Sequence, residues 1–93
     1  MKVYKLLHKP TGLYFVPSKG NGNFSIKGKI YSSKPNLDWT ERCRIVFYKK
    51  NKPSKKEEVL IKYFNIDVSS SYIWTVDVYV KTKPEEWEIE TIE

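Results

Sequence analysis

The chain has 93 residues, enough for one domain with a single hydrophobic core. Hydrophobic residues make up 40% of it and charged residues 30%, which is typical of a folded globular protein rather than a disordered one. It has no run of about 18 apolar residues, so no membrane span is predicted. One cysteine and one histidine are too few for an intramolecular disulfide or a structural zinc site. We therefore expect no metal and no other cofactor, and a cytoplasmic location.

The net charge of +6 is unevenly distributed along the chain. Residues 1–56 contain 14 lysines and arginines against 2 carboxylates, a net +12, whereas residues 57–93 contain 3 lysines against 9 carboxylates, a net −6. Strongly basic segments attract polyanions such as nucleic acids. The pattern predicts a basic contact surface in the first part and an acidic surface in the second.

Two short apolar runs, residues 2–8 and 13–16, begin the chain and are separated by a turn sequence with Pro10 and Gly12. Proline fixes its own φ angle and glycine accepts a positive one, so a β-hairpin is predicted. His8 precedes this turn, and we interpret it as a surface or turn histidine rather than a catalytic one.

Residues 17–35 are basic, contain three glycines and carry no acidic side chain. We interpret this segment as a contact surface. Within it, residues 23–31 alternate like a strand, and Gly28 predicts a bulge that would turn Lys27 and Lys29 outward together. The loop at residues 18–23 lacks the sequence of a nucleotide-binding P-loop, although its glycines could still approach a phosphate.

Residues 42–48 are rich in β-branched and aromatic side chains and predict another strand. Cys43 lies between Arg42 and Arg44, whose charges would favour a thiolate, but a cysteine at an apolar strand position is more often part of the core. The strand leads directly into a dense basic cluster at residues 49–52.

Residues 54–65 predict the single helix of the chain. Ser54 and Glu57 have the spacing of a capping box, and Asn65 supplies a stop signal. The apolar positions that follow the cap are expected to pack on a sheet: Val59, Leu60, Tyr63 and Phe64.

Residues 72–81 alternate cleanly and predict the strongest strand, half-buried in an antiparallel sheet. In the last strand, strand spacing is expected to place Glu86, Glu88 and Glu90 on one face. Strands before and after one helix exclude a wound βαβ arrangement. The fold class is therefore α+β, an antiparallel sheet of about five or six strands with one helix, in one domain over residues 1–93.

Catalytic chemistry needs a nucleophile with an adjacent base, paired carboxylates or a metal, and the sequence offers no such constellation, so we expect no enzyme activity. The basic residues instead predict contacts with nucleic acid or a partner: Lys19, Lys27, Lys29, Lys34, Arg42, Arg44, Lys49, Lys50, Lys52, Lys55 and Lys56. Four aromatic residues interleaved with them are candidate stacking platforms for bases, unless the core needs them: Phe24, Tyr31, Trp39 and Tyr48. Glu86, Glu88 and Glu90 form a candidate acidic partner face.

The start HKPTGLYFVPSKGNGN at residues 8–23, the KGKIY at 27–31 and the end EEWEIETIE at 85–93 carry a resemblance. In these patches, about a third of the chain, the sequence resembles small uncharacterised bacteriophage and prophage proteins with a KPTGLYxxPSxGxGN start and an acidic WEI end. The resemblance implies a viral origin and a role in host takeover or counter-defence, including anti-CRISPR inhibition. It carries over no catalytic residue.

Two functions follow from charge and resemblance together. The first is a non-enzymatic inhibitor that binds a host or defence nucleoprotein, such as a CRISPR effector, and interferes with its guide or target nucleic acid. The alternative is a stand-alone basic RNA- or DNA-binding module.

Overall fold

The computed structural model describes residues 1–18, 21–48, 54–68 and 75–93, apart from the side chains of Trp39 and Tyr48. Within these ranges it has six strands: β1 Val3–His8, β2 Leu13–Ser18, β3 Asn21–Ser25, β4 Arg42–Tyr48, β5 Thr75–Lys81 and β6 Trp87–Ile92. One α-helix, α1, covers Lys55–Phe64, and two 3-10 helices cover Leu37–Thr40 and Pro84–Glu86. The predicted α+β fold is confirmed.

The strands form one sheet in the order β5-β4-β3-β2-β1-β6. Neighbours are antiparallel except β3 and β4, which run parallel and are paired through Gly22 and Cys43. The connection over residues 26–41 carries the chain back to the starting end of the sheet, so β4 runs in the direction of β3. The sheet is therefore mostly antiparallel, as expected, and the parallel pair of β3 and β4 makes it mixed.

The predicted hairpin is present as β1 and β2, with a positive φ of 73° at Gly12. The strand predicted over residues 23–31 is wrong beyond Ser25, where β3 ends. The Ser25 hydroxyl accepts hydrogen bonds from the amides of Lys27 and Gly28, which turns the backbone away from the sheet. Gly28, with φ at 75°, packs against the Tyr14 side chain instead of forming a bulge.

Helix α1 begins at the predicted capping box, in which the Ser54 hydroxyl accepts from the Glu57 amide and the Glu57 carboxylate accepts from the Ser54 amide. It ends at Asn65, which has a left-handed φ of 52°. Leu60 is fully buried. Phe64 packs against the core, as predicted. Ile61 also packs there, although it was not among the predicted positions.

Alternation along the strands gives the sheet a buried inner face, and the residues that form its core are Leu6, Leu13, Phe15, Phe24, Cys43, Ile45, Phe47, Val76 and Trp87. Leu60 of α1 joins this core, and Leu37 of the first 3-10 helix packs against it. Trp87 Nε1 donates a hydrogen bond to Thr82 Oγ1 at 2.8 Å, so the one polar group of the buried indole has a partner. On β4 and β5, the side chains of the opposite, outer face are therefore the ones available to contact another molecule.

Candidate nucleic-acid interface

The outer face of β4 and β5 brings together three cations and an exposed aromatic ring. The register places Arg44 opposite Tyr79 and Arg42 opposite Lys81. Directly opposite residues of an antiparallel pair project to the same side, so these four side chains form one surface. We call Arg42, Arg44, Tyr79 and Lys81 the basic-aromatic face.

Tyr79 is the centre of this surface. Tyr79 is 49% exposed, so a large part of its ring surface is open to solvent. The guanidinium carbon of Arg42 lies 4.2 Å from the Tyr79 ring centroid, and that of Arg44 lies 5.9 Å away. Cation–π attraction holds both guanidinium groups beside the ring. The arrangement offers flat surfaces and positive charge side by side.

Asp77 is the carboxylate that accompanies these cations on the outer face. Arg44 binds it in a bidentate pair, with Nε–Oδ1 at 2.8 Å and Nη2–Oδ2 at 2.6 Å. The hydrogen bonds from Arg44 hold the pKa of Asp77 below its usual range. Asp77 therefore stays charged at neutral pH, orients Arg44 and partly neutralises it, while the charges of Arg42 and Lys81 remain directed to solvent.

Chemically, this surface suits a single-stranded nucleic acid. Arginine and lysine neutralise phosphates, and arginine also does so through a planar fork of donors. Bases stack on aromatic rings and on guanidinium planes, a contact open to any base because every base has a π-face. Tyr79 between two arginines supplies both kinds of contact within one pair of strands.

The predicted basic residues are distributed over several surfaces. Arg42 and Arg44 belong to the basic-aromatic face, whereas Lys27 and Lys29 are exposed on the segment beside Tyr14. Lys29 Nζ lies 5.3 Å from the Tyr31 ring centroid. Three others lie elsewhere: Lys34 and Lys55 are exposed, and Lys56 Nζ donates to the Phe24 carbonyl at 3.0 Å. Lys56 thus makes a structural contact. The remaining predicted cations lie outside the described residues: Lys19, Lys49, Lys50 and Lys52.

Of the four predicted stacking residues, the structure describes the side chains of two, and neither is an exposed ring. Phe24 is 3% exposed and stacks on Trp87 inside the core, so its prediction as a platform is wrong. Tyr31 is half-buried against the core, and the side chains of Trp39 and Tyr48 lie outside the described part of the chain. Tyr79 is instead the exposed ring beside the cations of the basic-aromatic face. Alternation along β5 puts Tyr79 and Lys81 on the same side of the strand, but only the register with β4 shows which arginines lie beside them.

The acidic residues of the C-terminal segment separate into two groups. Glu88 and Glu90 lie on the outer side of β6, and Glu90 accepts a hydrogen bond from the Tyr14 hydroxyl at 2.9 Å. Glu86 belongs to the preceding 3-10 helix, and its carboxylate turns to the inner side, towards His8. The expectation that all three share one face is therefore wrong, because the strand begins one residue after Glu86.

His8 is fully buried, so its interpretation as a surface or turn histidine is wrong. Its Nδ1 lies 2.7 Å from Thr11 Oγ1 and its Nε2 lies 3.0 Å from Glu86 Oε1, which also accepts from the Tyr63 hydroxyl at 2.7 Å. Burial lowers the pKa of His8 more than the neighbouring Glu86 raises it. The imidazole is neutral, and it links β1, α1 and the second 3-10 helix.

Cys43 is part of the core, as its apolar strand position indicated. Arg42 and Arg44 project to the opposite face of β4, so they do not activate its thiol. Burial and the charge of Glu86 raise the pKa of Cys43 to about 12. The thiolate that a nucleophilic cysteine requires is therefore scarce at neutral pH.

No group of three or more His, Cys, Asp and Glu side chains suited to a metal ion occurs within residues 1–18, 21–48, 54–68 and 75–93. In the same part of the chain, no helix has the length and apolar character needed to cross a membrane. Comparison of the chain with protein-family models, curated proteins and solved structures finds no match.

Proposed function

We propose that the protein is a non-enzymatic binding protein that holds a single strand of RNA or DNA on its basic-aromatic face. The observation that supports this most directly is the half-exposed Tyr79 ring, with the Arg42 guanidinium 4.2 Å from its centroid and Lys81 on the same face. A ring kept exposed beside free cations gives no stability to the core, but it suits a stacked base with a neighbouring phosphate.

The strength of this binding depends on salt. Each phosphate neutralised on a single strand contributes about −0.7 to the slope of log K against log salt concentration. Arg42 and Lys81, the two cations of the face that are not bound to Asp77, would together give a slope of about −1.4. Tyr79 contributes through stacking, which does not release counterions.

The test is fluorescence anisotropy with a labelled single-stranded oligonucleotide of about 12 nucleotides over a range of salt concentrations. We expect Arg42→Gln to weaken binding and to reduce the magnitude of the slope by about 0.7. Tyr79→Ala is expected to lower affinity about tenfold without changing the slope. Lys81→Gln should behave as Arg42→Gln does, whereas the same change at exposed Lys62 on α1 serves as the matched control.

Two results would contradict the proposal. One is the absence of salt-sensitive binding by the unmodified protein at low ionic strength. The other is binding that Lys62→Gln weakens as much as Lys81→Gln, since this would attribute the affinity to net charge rather than to the basic-aromatic face.

A second function is favoured by the acidic residues at the other edge of the sheet. The sheet order puts β5, with Lys81, at one edge and β6, with Glu88, at the other. We propose as the alternative a phage-type inhibitor of a host or defence nucleoprotein, with an RNA-guided effector as one candidate. Its basic-aromatic face would contact the bound nucleic acid, and Glu88 would contact a cationic channel of the protein.

A pull-down of the tagged protein from bacterial lysate, with and without nuclease treatment, separates the two functions. A discrete protein that remains bound after nuclease treatment and is lost with Glu88→Lys supports the inhibitor. Recovery of heterogeneous nucleic acid that nuclease removes, with no protein retained afterwards, supports the stand-alone module.

A further inference from the structure

A cleft opens in the sheet next to the basic-aromatic face. Strands β3 and β4 are paired through Gly22 and Cys43 and then diverge. The space between them has a volume of about 240 Å³. Its walls come from both strands and its base from α1, and the lining residues include Asn23, Phe24, Arg44, Phe47, Lys56 and Leu60.

The cleft is stabilised by a side chain that replaces a strand partner. Lys56 Nζ donates to the Phe24 carbonyl at 3.0 Å, so this carbonyl is satisfied from α1 rather than by the backbone of β4. A buried backbone carbonyl without a partner would favour closing the sheet. With Lys56 in place, the two strands stay apart without losing this hydrogen bond.

The lining combines buried apolar side chains with polar ones from both strands and from α1, namely Asn23, Arg44, Lys56 and Glu57. Asn23 and Arg44 alternate along their strands with buried residues, so they lie at the mouth on the outer face. Phe24, Phe47 and Leu60 are 3%, 6% and 2% exposed, and they form an apolar floor. Such a slot suits a flat aromatic ring with hydrogen-bonding groups along one edge, which describes a nucleobase.

We infer that the cleft receives one base of the strand that lies on the basic-aromatic face. This inference rests on the proposed nucleic-acid binding. Arg44 lines the cleft and also lies beside Tyr79, so a strand that lies on the basic-aromatic face passes next to the cleft. The base enters with its flat faces against apolar side chains, and the Asn23 amide, which is both a donor and an acceptor, meets its polar edge. The cleft thus adds base recognition to a face that otherwise accepts any base.

The experiment compares two labelled strands of about 12 nucleotides: single-stranded DNA with all four bases, and a backbone of the same length in which every base is absent. Both carry the same phosphates. The readouts are the affinity of each strand and the methyl NMR signals of Ile45 and Leu60, which line the cleft, with Ile92 of β6 as the reference. We expect the base-containing strand to shift the Ile45 and Leu60 signals, and the abasic strand to leave them in place.

Asn23→Leu tests the polar contact because leucine keeps the branched shape of the asparagine side chain but has no amide. We expect this variant to lose about fivefold in affinity for the base-containing strand and less than about twofold for the abasic strand. Thr91→Val, at an exposed position of β6, is the matched control and should change neither affinity.

The inference is overturned if both strands bind, Tyr79→Ala weakens the binding, and the Ile45 and Leu60 signals respond to neither strand; the proposed function would then stand without a base-binding cleft. If neither strand binds the unmodified protein, both the inference and the proposed function are overturned.

Discussion

His8 shows how a single side chain can fix three parts of this molecule. Both ring nitrogens have partners, Thr11 and Glu86, and the ring is enclosed by aromatic side chains from the sheet and from α1. Burial, the largest influence on Glu86, raises its pKa, but hydrogen bonds from the Lys83 amide, Tyr63 and His8 outweigh burial and hold the pKa below its usual range. The network therefore contains a neutral imidazole and a charged carboxylate.

The pKa of His8 predicts how stability changes with pH. Its pKa is lowered in the folded state, so between the folded value and the unfolded value of about 6.5 the unfolded chain binds more protons. Stability is therefore fully present above about pH 6.5 and falls as the pH is lowered through the folded pKa. We expect the free energy of unfolding to be lower at about pH 5.5 than at about pH 7.5, by up to about 1.4 kcal/mol.

Denaturant unfolding at the two pH values measures this difference, and NMR titration of the single histidine gives its pKa directly. His8→Asn is the control, because asparagine does not titrate. The free energy of unfolding of this variant should therefore lack the fall that protonation of His8 causes between these pH values. A His8 pKa at or above about 6.5 in the folded protein would contradict the prediction.

At the scale of elements, glycine and serine decide where β3 stops and how the next segment lies on the sheet. Ser25 accepts from two amides, and Gly28 takes a left-handed conformation against Tyr14. Residue 31 then pairs with β1, with hydrogen bonds of 2.9 and 2.8 Å between Tyr4 and Tyr31. Strand β2 pairs only with the end of β1, at Leu7–Tyr14 and His8–Leu13. The segment that contains Tyr31 pairs with the beginning of β1, which β2 leaves uncovered.

Gly28→Ala and Gly12→Ala form a matched pair for this element. Both positions have positive φ, 75° and 73°, so each alanine variant is strained by about 1 kcal/mol or more. A Cβ at Gly28 would lie 2.4 Å from Tyr14 Cβ, whereas a Cβ at Gly12 would meet nothing within 4 Å. We expect Gly28→Ala to lower the free energy of unfolding by at least about 1 kcal/mol more than Gly12→Ala. Equal losses in denaturant unfolding would show that the contact with Tyr14 has no energetic effect.

Over the whole molecule, the two oppositely charged parts of the sequence are not two separate regions. Strand β6 pairs with β1, so Glu90 lies opposite Lys5, and Lys2 lies 3.8 Å from Glu93. Asp77 is likewise paired with Arg44 on the outer face. The fold therefore neutralises part of each group of charges, and the basic-aromatic face combines charges from both parts of the chain.

This arrangement predicts that removing Asp77 strengthens nucleic-acid binding. Asp77→Asn removes the negative charge bound to Arg44 and releases the guanidinium towards phosphates. We expect affinity for the labelled strand to rise about two- to fivefold at low salt, and the gain to shrink as salt screens the exposed charges. Exposed ion pairs add little to stability, so the midpoint of denaturation should hardly change.

Asp38→Asn is the control for this change, because it removes the same charge from an exposed position on the first 3-10 helix. An equal gain in affinity from both variants would mean that net charge, rather than the basic-aromatic face, controls binding.

The amino-acid sequence alone determined those features that depend on neighbours along the chain. The capping box sets the start of α1, period-two alternation sets the buried sides of β4 and β5, and the turn sequence sets the first hairpin. Cys43 was correctly interpreted as a core residue for the same reason. Local patterns reveal such features because capping and alternation act over a few residues.

Only the tertiary structure decided which distant residues meet. The Arg44–Tyr79 register, the parallel step between β3 and β4 with its cleft, and the burial of His8 against Glu86 all join residues far apart in sequence. Local alternation shows which side of a strand a residue occupies, but not which strand lies beside it. The physical reason is that pairing is set by the packing of the whole core, and that packing left Tyr79 exposed while Phe24 was buried.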